Sequence, residues 1–395
     1  MMIDWTYLFP LLIGHFALFV LVLNLSHSTN LPEKLLEISN VALLLATLLA
    51  LPFLITKGPW IAWPLIPKTY ALLCLGTSLV GLPLVTLFRA FRRTPEGVES
   101  RGDVLDLAAE PGFDRVVGEG RHNWLLRLPG NRSLLLNKVE CDLELPSLPR
   151  SLDGLTLVQI TDLHFSHCYR REFFEVVAEE AAKWDADLVA FTGDLLDDVT
   201  TLDWVEPVLS RLRGRFGQYA ILGNHDHRLR PGRARRALRR AGFVDLEGRW
   251  ERLEIDGATL AIGGTSAPWG PAIDYNPMRE VDFRIVLSHS PDQFPRAALA
   301  GVELMLAGHN HGGQIRLPIF GPILMPSRYS RHFDRGFFRS RDGASTMYVS
   351  QGVGGKHPIR YGCTPEITRF TLRATPAARL PHVREQADVG VVRGW

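Results

Sequence analysis

The sequence has few cysteines and almost no excess charge of either sign. Its 395 residues include only four cysteines, and no two of them form a C-x-x-C pair. A disulfide framework is therefore not predicted for a chain of this length, and reduced thiols are compatible with a cytoplasmic location. The formal net charge of +2 carries no signature of a nucleic-acid-binding protein, so no nucleic-acid partner is expected.

Charged residues are also missing from long parts of the first ninety positions. The segments 7–25, 38–55 and 70–88 contain no Lys, Arg, Asp or Glu. Each is close to the roughly 20 residues that cross a bilayer as a helix. The pattern predicts three transmembrane helices and makes residues 1–93 a membrane anchor. Buried core helices are the alternative explanation.

The sequence also lacks the features of a cleaved signal peptide. The start, MMIDW, has no positive flank, and no small-residue cleavage site follows the first apolar run. Arg89, Arg92 and Arg93 follow the third run, so the positive-inside rule predicts a multi-pass protein of the cell membrane with its later residues in the cytoplasm. Lys57 and Lys68 count against this orientation because they lie on the loop that it places outside.

Beyond the anchor, the pattern predicts a linker at 94–132, a catalytic domain at 133–375 and a C-terminal tail at 376–395. Apolar strand-like runs such as LTLVQITD, DLVAFTGD and YAILGNHD alternate with helical patterns such as REFFEVVAEEAAKW. Alternation of this kind favours βαβ units around a buried sheet, and later runs read as strands joined by turns. The expected fold class is α/β, with two sheets flanked by helices.

Five short motifs place metal-binding residue types directly after these apolar runs. They are ITDLHF, FTGDLLDD, ILGNHDH, LSHS and AGHNHGGQ. Because open α/β sheets build sites at the carboxyl ends of their strands, distant motifs are expected to converge. Most of these motifs are weak evidence alone, since Gly-Asp and Gly-Asn are ordinary turn dipeptides, and only GHNHGG has much force by itself. Together they predict a site for two divalent cations. The candidate residues are Asp162, His164, Asp194, Asn224, His225, His289, His309 and His311.

In this order the motifs resemble the calcineurin-like metallophosphoesterase superfamily over about 155 to 372. The trailing segments HGGQIRLP and YVSQGVGGKHPIRYGCTPEI are similar to the bacterial membrane-associated branch, which contains UDP-2,3-diacylglucosamine diphosphatases. The resemblance implies a four-layer α/β/β/α metallophosphoesterase sandwich and a metal-dependent hydrolase of phosphoric esters or pyrophosphates.

The resemblance also implies a role for each motif residue. Asp162, His164 and His311 would bind one ion, Asp194 would bridge both, and Asn224, His289 and His309 would bind the second. His225 would not bind metal but would stabilise phosphoryl charge or protonate the leaving oxygen, and Asp226 would orient a neighbouring imidazole. Mixed nitrogen and oxygen ligands suit Mn, Fe or Zn better than Ca or Mg, with Mn the first expectation.

The expected substrate is a phosphodiester or pyrophosphate in a lipid-linked or cell-envelope precursor, because membrane tethering favours a substrate that resides in the bilayer. Two features are open to two interpretations. The arginine-rich segment 228–240 would meet anionic headgroups or form a solvated helix face. The apolar segments 266–277 and 316–330 would line an acyl-chain groove or simply cover the core.

Three alternatives remain at this point. In the first, the protein is a phosphodiesterase that acts on a soluble or cell-wall phosphate, and the helices serve only as an anchor. A non-catalytic membrane sensor would bind a phosphorylated ligand without turnover, although such a module has no need of His225. A transport component is disfavoured because the apolar runs contain no acidic or basic residue to serve a polar pathway.

Overall fold

The fold is described from a computed structural model. It describes residues 5–27, 33–56, 64–92, 94–276, 280–318, 320–329 and 332–375. The predicted C-terminal tail at 376–395 lies outside the described residues.

The N-terminal region is helical. Its helices are α1 (Trp5–His27), α2 (Glu33–Thr56), α3 (Leu65–Gly76) and α4 (Leu82–Ala90), with a π-helical turn, Thr77–Gly81, joining the last two. Within the described residues, two helical segments are long and apolar enough to cross a membrane, Leu8–His27 and Leu65–Ala90, whereas α2 contributes the shorter apolar stretch Ile38–Pro52. The prediction of three transmembrane helices is therefore not confirmed.

Close packing holds these helices together. A Cβ atom at Gly14 of α1 would overlap the backbone of Cys74 in α3, so glycine allows the two backbones to touch, as small residues do between membrane helices. The His15 ring links the other helices: its Nδ1 lies 2.5 Å from the Tyr70 hydroxyl and its Nε2 3.1 Å from the Thr47 carbonyl oxygen of α2.

The rest of the chain alternates strands with short helices. The helices are α5 (Phe113–Val116), α6 (Arg171–Ala182), α7 (Val205–Leu209), α8 (Asn224–Leu229), α9 (Pro231–Arg240) and α10 (Phe294–Leu299). The strands are β1 (Val98–Asp106), β2 (Leu135–Leu145), β3 (Thr156–Ile160), β4 (Leu188–Thr192), β5 (Gln218–Ile221), β6 (Val244–Asp245), β7 (Trp250–Ile255), β8 (Ala258–Thr265), β9 (Phe283–Ser288), β10 (Leu304–Ala307), β11 (Arg316–Leu317), β12 (Gly321–Pro322), β13 (Gly336–Arg339), β14 (Thr346–Val349) and β15 (Glu366–Ala374).

Two mixed sheets carry the fold, in agreement with the α/β prediction. The first has the order β1-β2-β15-β3-β4-β5-β6, and the second β13-β14-β10-β9-β8-β7. In the first sheet β3, β4, β5 and β6 are parallel, and β15 runs antiparallel to β3. In the second, β8, β9, β10 and β14 are parallel. The parallel strands therefore end at one edge of each sheet.

Apolar side chains pack between successive layers. Phe173 and Val177 of α6 pack on the first sheet, together with residues of α7 and α9. Leu157 and Leu287 belong to the core between the two sheets. Phe294 of α10 packs on the far face of the second sheet. Each sheet is thus covered on both faces, as expected for strands with near-continuous apolar runs.

The predicted linker contributes a strand to the first sheet, and the N-terminal helical region also contacts the sheet-bearing region. Within 94–132, predicted to be a linker, β1 pairs antiparallel with β2 along its whole length. Arg92, just after α4, donates a 2.5 Å hydrogen bond to Asp334 Oδ1. The domain boundaries remain a prediction, but the end of the last helix lies directly against the sheet-bearing region.

Candidate metal centre

The seven predicted metal ligands lie together at the carboxyl ends of the parallel strands. Asp162 follows β3, Asp194 follows β4 and Asn224 follows β5, while His289 follows β9 and His309 follows β10. Because both sheets end their parallel strands at this edge, side chains more than a hundred residues apart meet. All five of these residues are buried.

One group of potential ligands forms around Asp162. It consists of Asp162, His164, Asp194 and His311. The Nε2 atoms of His164 and His311 lie 3.1 Å apart, and His311 Nε2 lies 3.5 Å from Asp162 Oδ1. Ligand atoms about 2.1 Å from one cation lie roughly 3.0 to 3.4 Å from each other. The spacing therefore fits donors directed at a shared ion.

A second group meets the first at Asp194. It contains Asp194, His289 and His309, and Asn224 Oδ1 lies 3.1 Å from His289 Nε2. Asp194 Oδ2 lies 3.2 Å from His289 Nε2 and 3.4 Å from His164 Nε2. One carboxylate oxygen thus faces both groups, which is the arrangement that a bridging ligand requires.

Backbone carbonyl groups determine which imidazole nitrogen of His289 and His309 is free to bind a metal ion. His289 Nδ1 lies 2.9 Å from the Thr192 carbonyl oxygen, so the proton sits on Nδ1 and the Nε2 lone pair faces Asp194. His309 Nε2 lies 2.9 Å from the Pro326 carbonyl oxygen, which leaves Nδ1 as its ligand atom. Carbonyl partners of this kind fix the tautomer of metal-binding histidines.

The electrostatics of the site favour cations. Among the described residues, no Lys or Arg forms an ion pair with Asp162 or Asp194, whose ionic contacts are all with histidines. Burial lowers the pKa of His289, but the Asp194 and Asp162 carboxylates outweigh it and raise this pKa to about 9. Burial, aided by His289, lowers the pKa of His309 to about 4. His309 is thus neutral, whereas a divalent ion would have to displace the proton that the carboxylates hold on His289, because metal binding to a histidine releases its proton.

Five of the seven predicted ligands have a left-handed backbone, which is uncommon for residues other than glycine. The φ angles are 55° at Asp162, 49° at His164, 55° at Asp194, 70° at His309 and 47° at His311. Strained backbone of this kind clusters at functional sites. The motif glycines permit the close approach: a Cβ at Gly308 would overlap Asp162 Oδ2, and one at Gly223 would overlap Asp194 Oδ1.

His225, predicted not to bind metal, borders the same site. Its backbone N–H donates to Asp194 Oδ1 at 2.9 Å, and its ring lies edge-on to the His164 ring, with centroids 4.6 Å apart. Its Nδ1 forms a short contact with Asp197 Oδ1. Since Nδ1 faces this carboxylate, Nε2 is the nitrogen left for a substrate.

Asp197 is a functional residue that the sequence interpretation missed. Besides His225, it contacts His164, whose Nδ1 lies 3.1 Å from Asp197 Oδ2. Burial raises the pKa of Asp197, but the imidazoles of His164 and His225 outweigh it and hold the pKa well below its ordinary value. Asp197 therefore orients one predicted metal ligand and the one non-ligand histidine at the same time. Its only signal in the sequence is the acidic end of FTGDLLDD.

Asp226 does not have the predicted role. It was expected to orient an imidazole, but its carboxylate accepts hydrogen bonds from the backbone N–H groups of Leu195, Leu196 and Gly223. Burial, together with Asp194, raises the pKa of Asp226 to about 6. Its function is to hold the two motif loops against each other.

A buried arginine supports the other side of the site. Arg360 is 1% exposed and donates to the carbonyl oxygens of His311 at 2.8 Å, Gln351 at 2.7 Å and Gly354 at 2.6 Å. Within the described part of the chain it has no carboxylate partner. Arg360 thus ties the loop at 350–355 to the backbone of a predicted ligand.

A cavity of about 1080 Å³ opens onto these residues. Asn224, His225 and His309 line it, and so do Trp269 and Leu324 from the two apolar segments. The Trp269 ring centroid lies 4.7 Å from that of His309. Parts of both segments therefore border the site, whereas Tyr275 packs against the core, and Ile319 lies outside the described residues.

Three of the seven arginines in the segment 228–240 pair with acidic side chains. Arg235 contacts Glu247, Arg239 contacts Asp245 at 2.8 Å, and Arg240 contacts Glu206 at 3.0 Å. Arg228 at its start lines the cavity. The C-terminal part of the segment is thus a paired helix surface.

Comparison with known proteins agrees with this geometry. Residues 155–313 match the family model of calcineurin-like phosphoesterases. The metallophosphoesterase YkuE of Bacillus subtilis (strain 168) is 33% identical over 238 residues, covering 58% of this chain and 82% of that protein. The UDP-2,3-diacylglucosamine pyrophosphatase LpxG of Chlamydia trachomatis is 27% identical and covers 59% of this chain and 88% of its own. A transmembrane protein with a metallophosphoesterase domain from Danio rerio is 25% identical, and the match covers 76% of this chain and 72% of that protein.

Proposed function

Because this chain belongs to the calcineurin-like metallophosphoesterase family, we propose that it is a membrane-anchored hydrolase of a phosphodiester or pyrophosphate bond in a lipid-linked or cell-envelope precursor. The observation that carries the proposal is Asp194 Oδ2, which faces His164 on one side and His289 on the other. A shared carboxylate oxygen is what a pair of cations about 3.5 to 4 Å apart requires.

The residues present fit two divalent cations. Asp162, His164 and His311 would hold one, Asn224, His289 and His309 the other, and Asp194 both. Mn is the first candidate, with Fe and Zn as alternatives, because the donors mix imidazole nitrogen with carboxylate and amide oxygen. When bound, such ions supply an activated water and neutralise charge on the phosphoryl oxygens.

The chain itself supplies the proton. His225 places Nδ1 against Asp197, so a protonated ring carries its second N–H on Nε2, toward the cavity. Asp197 stabilises that imidazolium and keeps the ring from turning. His225 is therefore placed to stabilise charge on the phosphoryl group and to donate a proton to the departing oxygen.

Membrane anchoring and orientation are part of the proposal. Arg89 donates a 2.7 Å hydrogen bond to the Phe320 carbonyl oxygen, and Arg92 pairs with Asp334. Arg89 in the last turn of α4 and Arg92 just after it therefore lie on the same side as the catalytic residues. By the positive-inside rule we place that side in the cytoplasm of a multi-pass protein. A reporter fused after Trp395 should be active only on the cytoplasmic side.

The lipid-linked substrate is supported by the apolar helices and by relatives such as LpxG, whose name gives UDP-2,3-diacylglucosamine as its substrate. A soluble or cell-wall phosphodiester is the second candidate, with the helices only as an anchor. Equal turnover of lipid-linked and water-soluble phosphodiesters by the full-length protein would favour this second candidate.

Hydrolysis is tested with Mn-loaded full-length protein and bis(4-nitrophenyl) phosphate. We expect wild-type turnover, loss of turnover without loss of bound metal in His225→Ala, and loss of both in Asp194→Asn. His167→Ala is a matched control, since His167 lies beside a motif but its side chain is 50% exposed; it should retain wild-type turnover. No wild-type cleavage, with Asp194→Asn altering only ligand affinity, would instead establish a phosphate sensor.

A further inference from the structure

The cavity at the metal centre is bounded partly by the N-terminal helices. His27 at the end of α1 and Leu36 and Asn40 of α2 line the same cavity as Asn224 and His225. A helix that served only as a tether would not contribute to this wall. The first two helices therefore belong to the surface that a substrate would touch.

A polar pair lies on this wall. Asn40 Nδ2 lies 3.0 Å from His27 Nε2. The Asn40 Oδ1 atom is buried and has no hydrogen-bond partner among the described residues. Because buried acceptors are nearly always paired in folded proteins, this oxygen points to a donor supplied by a ligand, such as a hydroxyl or an amide N–H.

The same helix turns different faces to the cavity and to its surroundings. Leu36, one turn before Asn40, is only 9% exposed, whereas the neighbouring Leu35 is 51% exposed. Ile38 and Val41 are also exposed. An exposed apolar face of this kind suits lipid, so α2 separates the cavity from the surrounding bilayer and presents a polar residue inward.

The cavity is also lined by basic side chains. Arg296 and Arg328 line it together with one carboxylate, Asp292, and neither arginine forms an ion pair within the described ranges. The arginines and the metal centre would attract an anionic group, and the His27–Asn40 pair offers an uncharged polar contact in the same cavity. This distribution fits a molecule with a phosphate group at one end and hydroxyl or amide groups toward its lipid end.

We propose that the wall formed by His27, Leu36 and Asn40 is a substrate subsite. It binds the uncharged polar part of a bilayer amphiphile, between its phosphate and its acyl chains. This inference rests on the proposed hydrolytic function and adds the residues that select lipid-linked over soluble substrates. The molecule enters from the side of α2, and Asn40 Oδ1 accepts a hydrogen bond from it.

Two substrates with the same diphosphate test the subsite. UDP-2,3-diacylglucosamine in mixed micelles carries the amide and hydroxyl groups and the acyl chains, whereas the methyl ester of UDP (P1-uridine P2-methyl diphosphate) has the diphosphate but neither of these parts. The readout is the ratio of their kcat/KM values, measured for the full-length protein. Leu36→Trp fills the cavity wall, and Asn40→Leu removes the acceptor. Leu35→Trp adds the same bulk on the exposed face of the same helix and serves as the control.

We expect wild type to favour the acylated substrate. The ratio should fall about tenfold in Asn40→Leu, the value of one lost hydrogen bond, and at least as much in Leu36→Trp. It should stay at the wild-type value in Leu35→Trp. Bound metal per chain and the thermal midpoint establish that each variant is folded, and the ratio is independent of the amount of active enzyme.

Two results would overturn the subsite. One is a wild-type enzyme that hydrolyses both nucleotides equally, or only the soluble one. The other is an unchanged ratio in both Asn40→Leu and Leu36→Trp. Failure of the proposed function looks different, because wild type would then hydrolyse neither nucleotide nor bis(4-nitrophenyl) phosphate.

Discussion

Replacing Arg360 by methionine should strongly destabilise the catalytic region. The guanidinium is 1% exposed and donates to three carbonyl oxygens, those of His311, Gln351 and Gly354. Methionine fills much of the volume but leaves the Gln351 and Gly354 oxygens without this donor, whereas the His311 oxygen still accepts from the Gln314 N–H. A buried unsatisfied acceptor costs about 1 to 3 kcal/mol, so two cost about 2 to 6 kcal/mol. Because water can enter the space of the guanidinium, we expect the lower half of this range, about 3 kcal/mol.

The assay is thermal unfolding of full-length protein in detergent, with and without Mn. A loss of about 3 kcal/mol should lower Tm by roughly 6 to 12 °C for a domain of this size. Mn affinity should also weaken by about 10- to 100-fold, because the carbonyl that Arg360 holds belongs to the predicted ligand His311.

A surface arginine provides the matched control. Arg373 pairs with Asp142 at 3.0 Å, but its side chain is 45% exposed, so Arg373→Met should change stability by less than about 1 kcal/mol. If Arg360→Met unfolded within 2 °C of Arg373→Met and bound Mn with wild-type affinity, the support assigned to the buried guanidinium would be refuted.

Three further predictions concern the same region. Asp197→Asn should lower kcat about 10- to 100-fold, because His164 and His225 lose the carboxylate that contacts both rings; an unchanged kcat would contradict that role. Gly308→Ala should reduce bound Mn measured by elemental analysis, because the added Cβ overlaps Asp162; full occupancy would argue against the tight approach. Burial raises the pKa of Glu247, but contacts from His227, Arg235 and Ser266 lower it to about 2, so its stabilising effect is complete above about pH 4.5 and disappears as pH falls toward 2. Glu247→Gln should therefore lower the free energy of unfolding by up to about 3 kcal/mol at neutral pH. The variant should also lose less stability than wild type between about pH 4.5 and pH 2, and an equal loss in the two proteins would count against this.

Strand ends could be predicted from the sequence because they depend on local pattern. Asp162 and Asp194 follow apolar runs of strand length, and the topology of parallel strands brings such positions to one edge. The same logic predicted that His289 and His309 follow strands, and the structure has these strands, β9 and β10, in the second sheet. The two sheets pack face to face because each has an apolar face to bury.

The supporting residues could not be predicted in this way. Asp197 contacts two histidines that lie 33 and 28 residues away in the chain, and nothing local distinguishes it from a solvated acid such as Asp198. Arg360 lies in a loop, and its partners His311, Gln351 and Gly354 cannot be read from the residues next to it in the chain. The absence of charged residues from three apolar runs predicted three spans. The length of an uninterrupted apolar helix, however, depends on where the helix begins and ends, and the apolar stretch of α2 is the shorter one.

Asn24 of α1 has a practical consequence for anyone who wishes to study the enzyme in pieces. Its amide donates to the Ile323 carbonyl oxygen at 2.7 Å and accepts from the Met325 N–H at 2.8 Å. The next residue, Pro326, supplies the carbonyl that fixes the His309 tautomer. A fragment expressed from residue 94 onward would lack Asn24 and so lose its hydrogen bonds to Ile323 and Met325. Met325 directly precedes Pro326, the residue whose carbonyl oxygen contacts His309. Kinetics measured on such a fragment would describe a different active site from that of the full-length protein.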